Sequence, residues 1–301
     1  MQIIKDSYIY AFNPENKPIA FCNDGEILCF ETLDCFGGQV KSENDLIDNI
    51  DFAQCNPATG PVYVNGAEKG DVLAVDILDI QVADHGMIGT LNGLGPLWNS
   101  CELRTRIIPV KDNVCYFNDI CFAARPMIGV IGTAPENRSV QSSSAFECGG
   151  NMDSRIITKG VSVYLPVKCK GALLAMGDVH AAMGDGEISE TGIEIGAKII
   201  VRVRIIKNFD LRWPLTETPD AYYVNTVGRN CNLSIQRGYK EIHRLIVNAY
   251  GWDDTDAVLY LSMRCFVEAN QAVLAQNKAD ETGDTFRVGV PKLEGKPRLI
   301  P

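Results

Sequence analysis

Short runs of branched and aliphatic residues recur through the first two-thirds of the chain, each closed by Gly, Asp, Asn or Pro. Such punctuation predicts short strands. The clearest runs are 61–64, 72–80, 127–132, 161–165, 173–180 and 199–206. In the last of these Ile200, Arg202 and Arg204 alternate with Val201, Val203 and Ile205. A period of two marks a strand with one buried and one wet face. Over 72–80 the alternation is partial, with Asp76 and Asp79 expected to point outward. Asn65-Gly66 and Lys69-Gly70-Asp71 form the turn before that run, where Gly and Asn reach positive φ at little cost.

Helical spacing begins after residue 230. Ile235, Tyr239, Ile242, Leu245, Ile246 and Ala249 predict a helix over 233–250, stopped by Gly251 in a left-handed cap. Ala257, Leu259, Tyr260, Met263, Phe266 and Val267 predict a second over 254–268, capped by Asp253, Asp254 or Thr255. The pattern as a whole predicts a mainly β fold. A sandwich or barrel-like core spans residues 1–230 and carries the catalytic groups. A smaller α/β part, 231–301, packs its two helices on that core. Residues 136–147, with Ser142-Ser143-Ser144, form the most polar long connection and a candidate lid.

The 301 residues are 46% apolar and 22% charged, a globular mix that excludes disorder, coiled coil and collagen. Lys and Arg number 28 against 38 Asp and Glu, a formal charge of −10. That sign argues against nucleic acid and against anionic membrane surfaces as partners. No run approaches the ~20 apolar residues that a membrane span requires, and Met1 to Asp6 has no signal-peptide pattern. The eleven cysteines are odd in number, scattered, and lack any Cys-x-x-Cys. They read as buried thiols of a cytoplasmic protein.

The stretch richest in chemistry is Gly177-Asp-Val-His-Ala-Ala-Met-Gly-Asp-Gly-Glu187, which sets one of three histidines among three carboxylates. On a strand, Asp178 and His180 share a face, and a carboxylate with an imidazole can bind a divalent metal. The glycines let the backbone bring Asp185 and Glu187 back towards them. Gly184-Asp-Gly-Glu187 also has a calcium reading, although no EF-hand loop is present. No Gly-x-Ser-x-Gly elbow supports a serine nucleophile. Cys148-Gly-Gly-Asn-Met-Asp153 predicts a tight turn whose backbone amides could hold an oxyanion. Glu31 to Gln39, with Glu31 and Asp34, reads as a strand end entering a glycine pair. Asn56-Pro-Ala-Thr-Gly-Pro61 reads as a rigid turn. His85 and His243 lie in a polar loop and a helix and carry little signal.

Taken in order, these stretches resemble the acetamidase/formamidase family of metal-dependent amidases. The matching text is Glu31-Thr-Leu-Asp34, Asn56 to Leu73, Arg125 to Pro135, Gly149-Gly-Asn-Met-Asp153, Tyr164-Leu-Pro-Val167 and Gly171 to Glu187, within residues 20–275. The tail from Ala272 to Pro301 matches less well. The resemblance implies hydrolysis of a small neutral short-chain amide, such as formamide or acetamide, to a carboxylate and ammonia. Zinc or another divalent ion is the implied cofactor, while calcium stays with the oxygen-rich reading of 184–187. It implies Asp178, His180 and Asp34 as metal ligands. Glu187 follows as general acid/base, with Asn151 and the backbone near Gly150 holding the oxyanion. Asp153 is either catalytic or an outer ligand. Cys148 stands where many relatives carry His and, with Asp185, is a further candidate for the metal or its surroundings. The apolar faces of the C-terminal helices suggest a homo-oligomer, a homodimer in the simplest case. Two other readings stay open: a lactam or larger-amide hydrolase on the same scaffold, and a non-catalytic binding module stabilised by calcium.

Overall fold

The computed structural model describes residues 1–272 and 283–301. Among these, two large β-sheets enclose the main core, and two helices cover the outer face of one of them. The first sheet runs Gln2–Ile4, Ile27–Thr32, Ala197–Ile206, Val72–Val82, Ser162–Pro166, Leu215–Glu217, Ala221–Gly228, Asp284–Pro291, Phe266–Ala269. Its first pair is parallel and the others are antiparallel. The second sheet is centred on Leu174–His180, which pairs with Met127–Gly132, Ala58–Val64 and Glu194–Ile195.

Alternation explains how the first sheet is covered on both faces. Leu73 and Val75 enter the core between the sheets, while Val72 and Ala74 enter the cluster beneath the helices. A strand buried on both sides reads as a continuous apolar run, which is why the polar phase of 72–80 is incomplete. Asp76 does point outward, where it accepts from Arg204 Nε and Nη2 at 2.8 Å and from Ser162 Oγ at 2.7 Å. In Ala197–Ile206, Val201 and Val203 are fully buried and Arg202 is exposed, as the period of two predicts.

The first helix, α1 (Cys231–Tyr250), begins where Asn230 Oδ1 accepts the Leu233 amide and ends at Gly251, φ 67°. It lays Ile242, Leu245 and Ile246 on the sheet, each burial contributing about 1.5–3 kcal/mol. The second, α2 (Asp254–Arg264), is capped by Asp253 and stops four residues before the predicted 268. Phe266–Ala269 is instead an edge strand paired with Asp284–Pro291, because a Phe-Val pair gains more from the neighbouring ladder than from another helical turn. The C-terminal part therefore extends the first sheet as well as covering it. Of the less familiar tail, residues 273–282 lie outside the described residues.

The expected lid over 136–147 is corrected by the structure. Val140–Gln141 and Ala145–Phe146 are short strands, and Val140 and Phe146 are buried with Phe12 and Cys148. Apolar anchors at Val140 and Phe146 pin down a segment whose serines suggested a free loop.

Candidate functional site

The site forms where two central strands of the second sheet lose their regular pairing. Ile128 opposes Val179 and Val130 opposes Gly177, which leaves Gly129 and Asp178 facing each other. Asp178 sits there at φ 54°. Asn56, Asp153 and Glu187, which line the same cavity, also have positive φ, at 52°, 44° and 47°. Such backbone costs about 1–3 kcal/mol per residue and collects where a structure needs a side chain aimed off the regular lattice. Gly129 supplies the space: a Cβ there would stand 2.5 Å from Asp153 Oδ1 and 2.7 Å from Asp178 Oδ2.

His180 ends the strand, 1% exposed, and four carboxylates surround it. Its Nε2 lies 3.2 Å from Glu194 Oε2, 3.4 Å from Asp178 Oδ1 and 3.8 Å from Asp153 Oδ1. Its Nδ1 lies 3.8 Å from Glu187 Oε1. The three oxygens facing Nε2 are buried and carry no hydrogen bond. The other oxygens are held. Asn56 Nδ2 donates to Asp178 Oδ2 at 2.9 Å, and the Gly192 amide donates to Glu194 Oε1 at 2.8 Å. Gln271 Nε2 donates to Asp153 Oδ2 at 3.1 Å and Glu187 Oε2 at 2.6 Å.

Burial sets the electrostatics. It raises Asp153, reinforced by Glu187 and Asp178, and it raises Glu194 despite the opposing attraction of His180. Burial pushes Glu187 up to about 8, against the opposing pull of His180. For His180 burial favours the neutral ring, but Glu194 and Asp178 outweigh it and hold the imidazole well above its ordinary range. Among the described residues lining this cavity of about 230 Å³ there is no Lys or Arg. Ionising several buried carboxylates around a single imidazole is costly. An imidazole and three unbonded carboxylate oxygens aimed at one point fit a divalent cation, the donor set typical of zinc and related metals. With Glu187 and Cys35 added, the possible donors form two adjoining groups, Asp153-His180-Glu187 and Cys35-Asp178-Glu194, each spanning no more than 4.8 Å.

Asp178, His180, Glu187 and Asp153, named from the sequence, thus converge. Asn151 lines the cavity with an unbonded Oδ1. Others do not join them. Asp34 turns Oδ1 to the amides of Phe36 and Gly38, closing its own loop, and stands outside both donor groups. Asp185 pairs with Arg155 and Arg287, each at 2.8 Å, which also separates the oxygens of the calcium reading. Cys148 is packed among Phe12, Val130 and Phe146 in an apolar cluster. Gly149–Asn151 is a strand rather than a turn, with Gly150 paired to Ile131 and the Asn151 amide bonded to Ser144. Those backbone groups are therefore taken by the sheet. Glu194, Cys35, Asn56 and Gln271 were not read from the sequence as site residues. For Glu194 a signal exists: a lone acid between Ile193 and Ile195 on a buried strand has to be explained by a partner.

Known proteins resemble the chain throughout. The sequence profile of the Acetamidase/Formamidase family matches residues 5–145 and 138–263. A formamidase of Methylophilus methylotrophus is 28% identical over 260 residues, 65% of this chain and 63% of that protein. The chain spans about three-fifths of the length of the curated relatives it matches. The crystal structure of an acetamidase from Bacillus halodurans superposes with a TM-score of 0.92 at 33% identity, covering 97% of each chain. A predicted acetamidase/formamidase from Thermoanaerobacter tengcongensis gives 0.91 at 35% identity, covering 96% of this chain and 95% of that one.

Proposed function

The chain belongs to the acetamidase/formamidase family, and on that premise we propose that it hydrolyses short-chain amides to a carboxylate and ammonia at the His180 centre. The observation that carries this reading is the set of unbonded oxygens of Asp153, Asp178 and Glu194 around His180 Nε2. These four residues would hold a divalent cation, with zinc the best match to the donors. When bound, such a cation makes water acidic enough to attack at neutral pH and polarises the amide carbonyl.

The remaining work falls to the chain's own side chains. An amide resists hydrolysis because its carbonyl is a weak electrophile and its nitrogen leaves only when protonated. Glu187 takes a proton from the attacking water as the C–O bond forms, then gives one to the nitrogen as the C–N bond breaks. A carboxyl held near 8 by burial suits both directions of transfer at neutral pH. Gln271, bonded to both Glu187 and Asp153, fixes the two carboxylates relative to each other. Asn151 offers its amide to the substrate, Nδ2 towards the developing oxyanion and the unbonded Oδ1 towards the substrate N–H.

A cavity of about 230 Å³, with Phe36, Phe52, Leu91 and Leu94 as its apolar lining, favours a small neutral amide over a lactam carrying a large ring system. A cytoplasmic setting, supported by eleven free thiols, and a homo-oligomer belong to the same proposal. The exposed Val258, Leu259 and Met263 of α2 offer an apolar surface for such contacts. No helix among the described residues is long and apolar enough to cross a membrane. The test is ammonia release from formamide and acetamide, set beside ring opening of a γ-lactam to its amino acid, by protein reconstituted with zinc. Turnover of the linear amides is expected. Folded, zinc-loaded protein that releases ammonia from no short amide overturns the proposal.

A further inference from the structure

Among the described residues, Cys35 is the one thiol that falls in a donor group of the candidate cation site. Its Sγ and the carboxylates of Asp178 and Glu194 lie within 4.8 Å of one another, all three buried. Asp178 Oδ1 and Glu194 Oε2, each on a side chain more than nine-tenths buried, point there without a hydrogen bond. The thiol is held in place by its own backbone. The Cys35 carbonyl accepts the Asn56 amide at 2.7 Å, and Asn56 Nδ2 in turn holds Asp178. The turn closed by Asp34 on Phe36 and Gly38 sets the direction in which the Cys35 side chain leaves the loop. Cys55 lines the same cavity but belongs to neither donor group.

We propose that Cys35 Sγ is a donor to the cation held by Asp178, Glu194 and His180, and that this sulfur makes the centre select a thiophilic divalent metal over magnesium, calcium or manganese. The proposal rests on the cation reading of the site given above. The chemistry follows from ligand softness: carboxylate oxygens alone accept hard cations, whereas one thiolate added to imidazole shifts preference towards zinc, cobalt(II) and cadmium. Binding displaces the thiol proton to water, so loading releases one more proton than an oxygen-and-nitrogen site would. Asp34, which the sequence singled out as a ligand, then has a different role: it shapes the turn that presents its neighbour.

The experiment uses full-length protein stripped with a chelator and titrated with cobalt(II). An absorption band of sulfur-to-cobalt charge transfer, saturating at the stoichiometry of bound cobalt, is expected in the wild type and in Cys55→Ser. Cys35→Ser, a near-isosteric change, is expected to bind cobalt without that band. It should also lose roughly tenfold or more of the preference for zinc over manganese. Wild-type protein that binds cobalt stoichiometrically with no charge-transfer band overturns the role of Cys35 and leaves the cation site standing. Protein that binds no cobalt at all overturns the cation site itself. The wild-type spectrum decides the matter even where the variant does not fold.

Discussion

Gly129→Ala is the smallest change that reaches the centre of this account. Gly129 is not at positive φ, so alanine fits its backbone, and the entire effect is steric. The added methyl would stand 2.5 Å from Asp153 Oδ1, 2.7 Å from Asp178 Oδ2 and 2.8 Å from the Asp178 carbonyl. Ordinary contact begins near 3.4 Å, so Asp153 Oδ1 must retreat by about 0.9 Å. A displacement of about 1 Å at reacting groups costs on the order of 100-fold in rate. Overpacking a buried position costs about 1–3 kcal/mol of stability, a few degrees in Tm for a chain of this size. Gly184→Ala is the control, because a Cβ there meets nothing within 4 Å. The assay is ammonia release from formamide with metal content and melting temperature measured on the same samples. Gly129→Ala is expected to stay folded, to lose roughly 100-fold in kcat/KM, and to hold less metal, while Gly184→Ala matches the wild type. A folded Gly129→Ala protein with normal metal content and normal rate would show that the Asp153 and Asp178 carboxylates are not where the chemistry occurs.

Three further outcomes follow from the same geometry. Glu187→Gln is expected to lower kcat by about 10²–10⁴-fold while metal stays bound, since the substitution removes a proton carrier and keeps the shape; equal loss of metal and rate would make Glu187 a ligand instead. Gln271 Nε2 stabilises the ionised form of Glu187, so Gln271→Ala is expected to move the ionisation of Glu187 in the kcat profile to higher pH, and an unmoved profile contradicts that role. In chelated protein, burial holds Glu187 at a pKa of about 8, against an ordinary 4.5 in the unfolded chain. The folded state therefore keeps its proton longer than the unfolded state, and stability must fall as pH rises between those values. Melting temperatures of metal-free and zinc-loaded protein from pH 5 to 8 test this, with the slope expected only in the metal-free series.

Much of the fold was legible in the sequence because the strands obey simple rules. Val201 and Val203 alternate with Arg202 and Arg204, and Asn230 and Gly251 stand where a helix must start and stop. Phe266-Val267 was misread as helix because a continuing apolar spacing does not reveal a neighbouring strand that competes for those residues. The site was half legible. Asp178 and His180 are two apart on one strand, so the sequence reading paired them, although the positive φ of Asp178 shows that regular alternation is not what places it. Glu194 and Gln271 arrive from distant segments through sheet pairing and a single bridge, Gly186 to Gln271, neither of which local pattern reports. Asp34 and Asp185 look like ligands in one dimension, but Asp34 Oδ1 is taken by two nearby amides and Asp185 Oδ1 by two arginines. Cys35 was hidden beside Asp34, and one residue of displacement separates the acid that closes the loop from the thiol that falls within a candidate donor group.

The central claim is that the oxygens around His180 Nε2 hold a cation that the reaction requires. The most direct measurement is metal content per chain, by elemental analysis, set beside formamide turnover for the wild type and Asp178→Asn as purified, after chelation, and after zinc return. The account predicts stoichiometric metal and activity in the wild type, both abolished by chelation and restored together, with neither restored in Asp178→Asn. Full turnover by wild-type protein that contains no metal would contradict it.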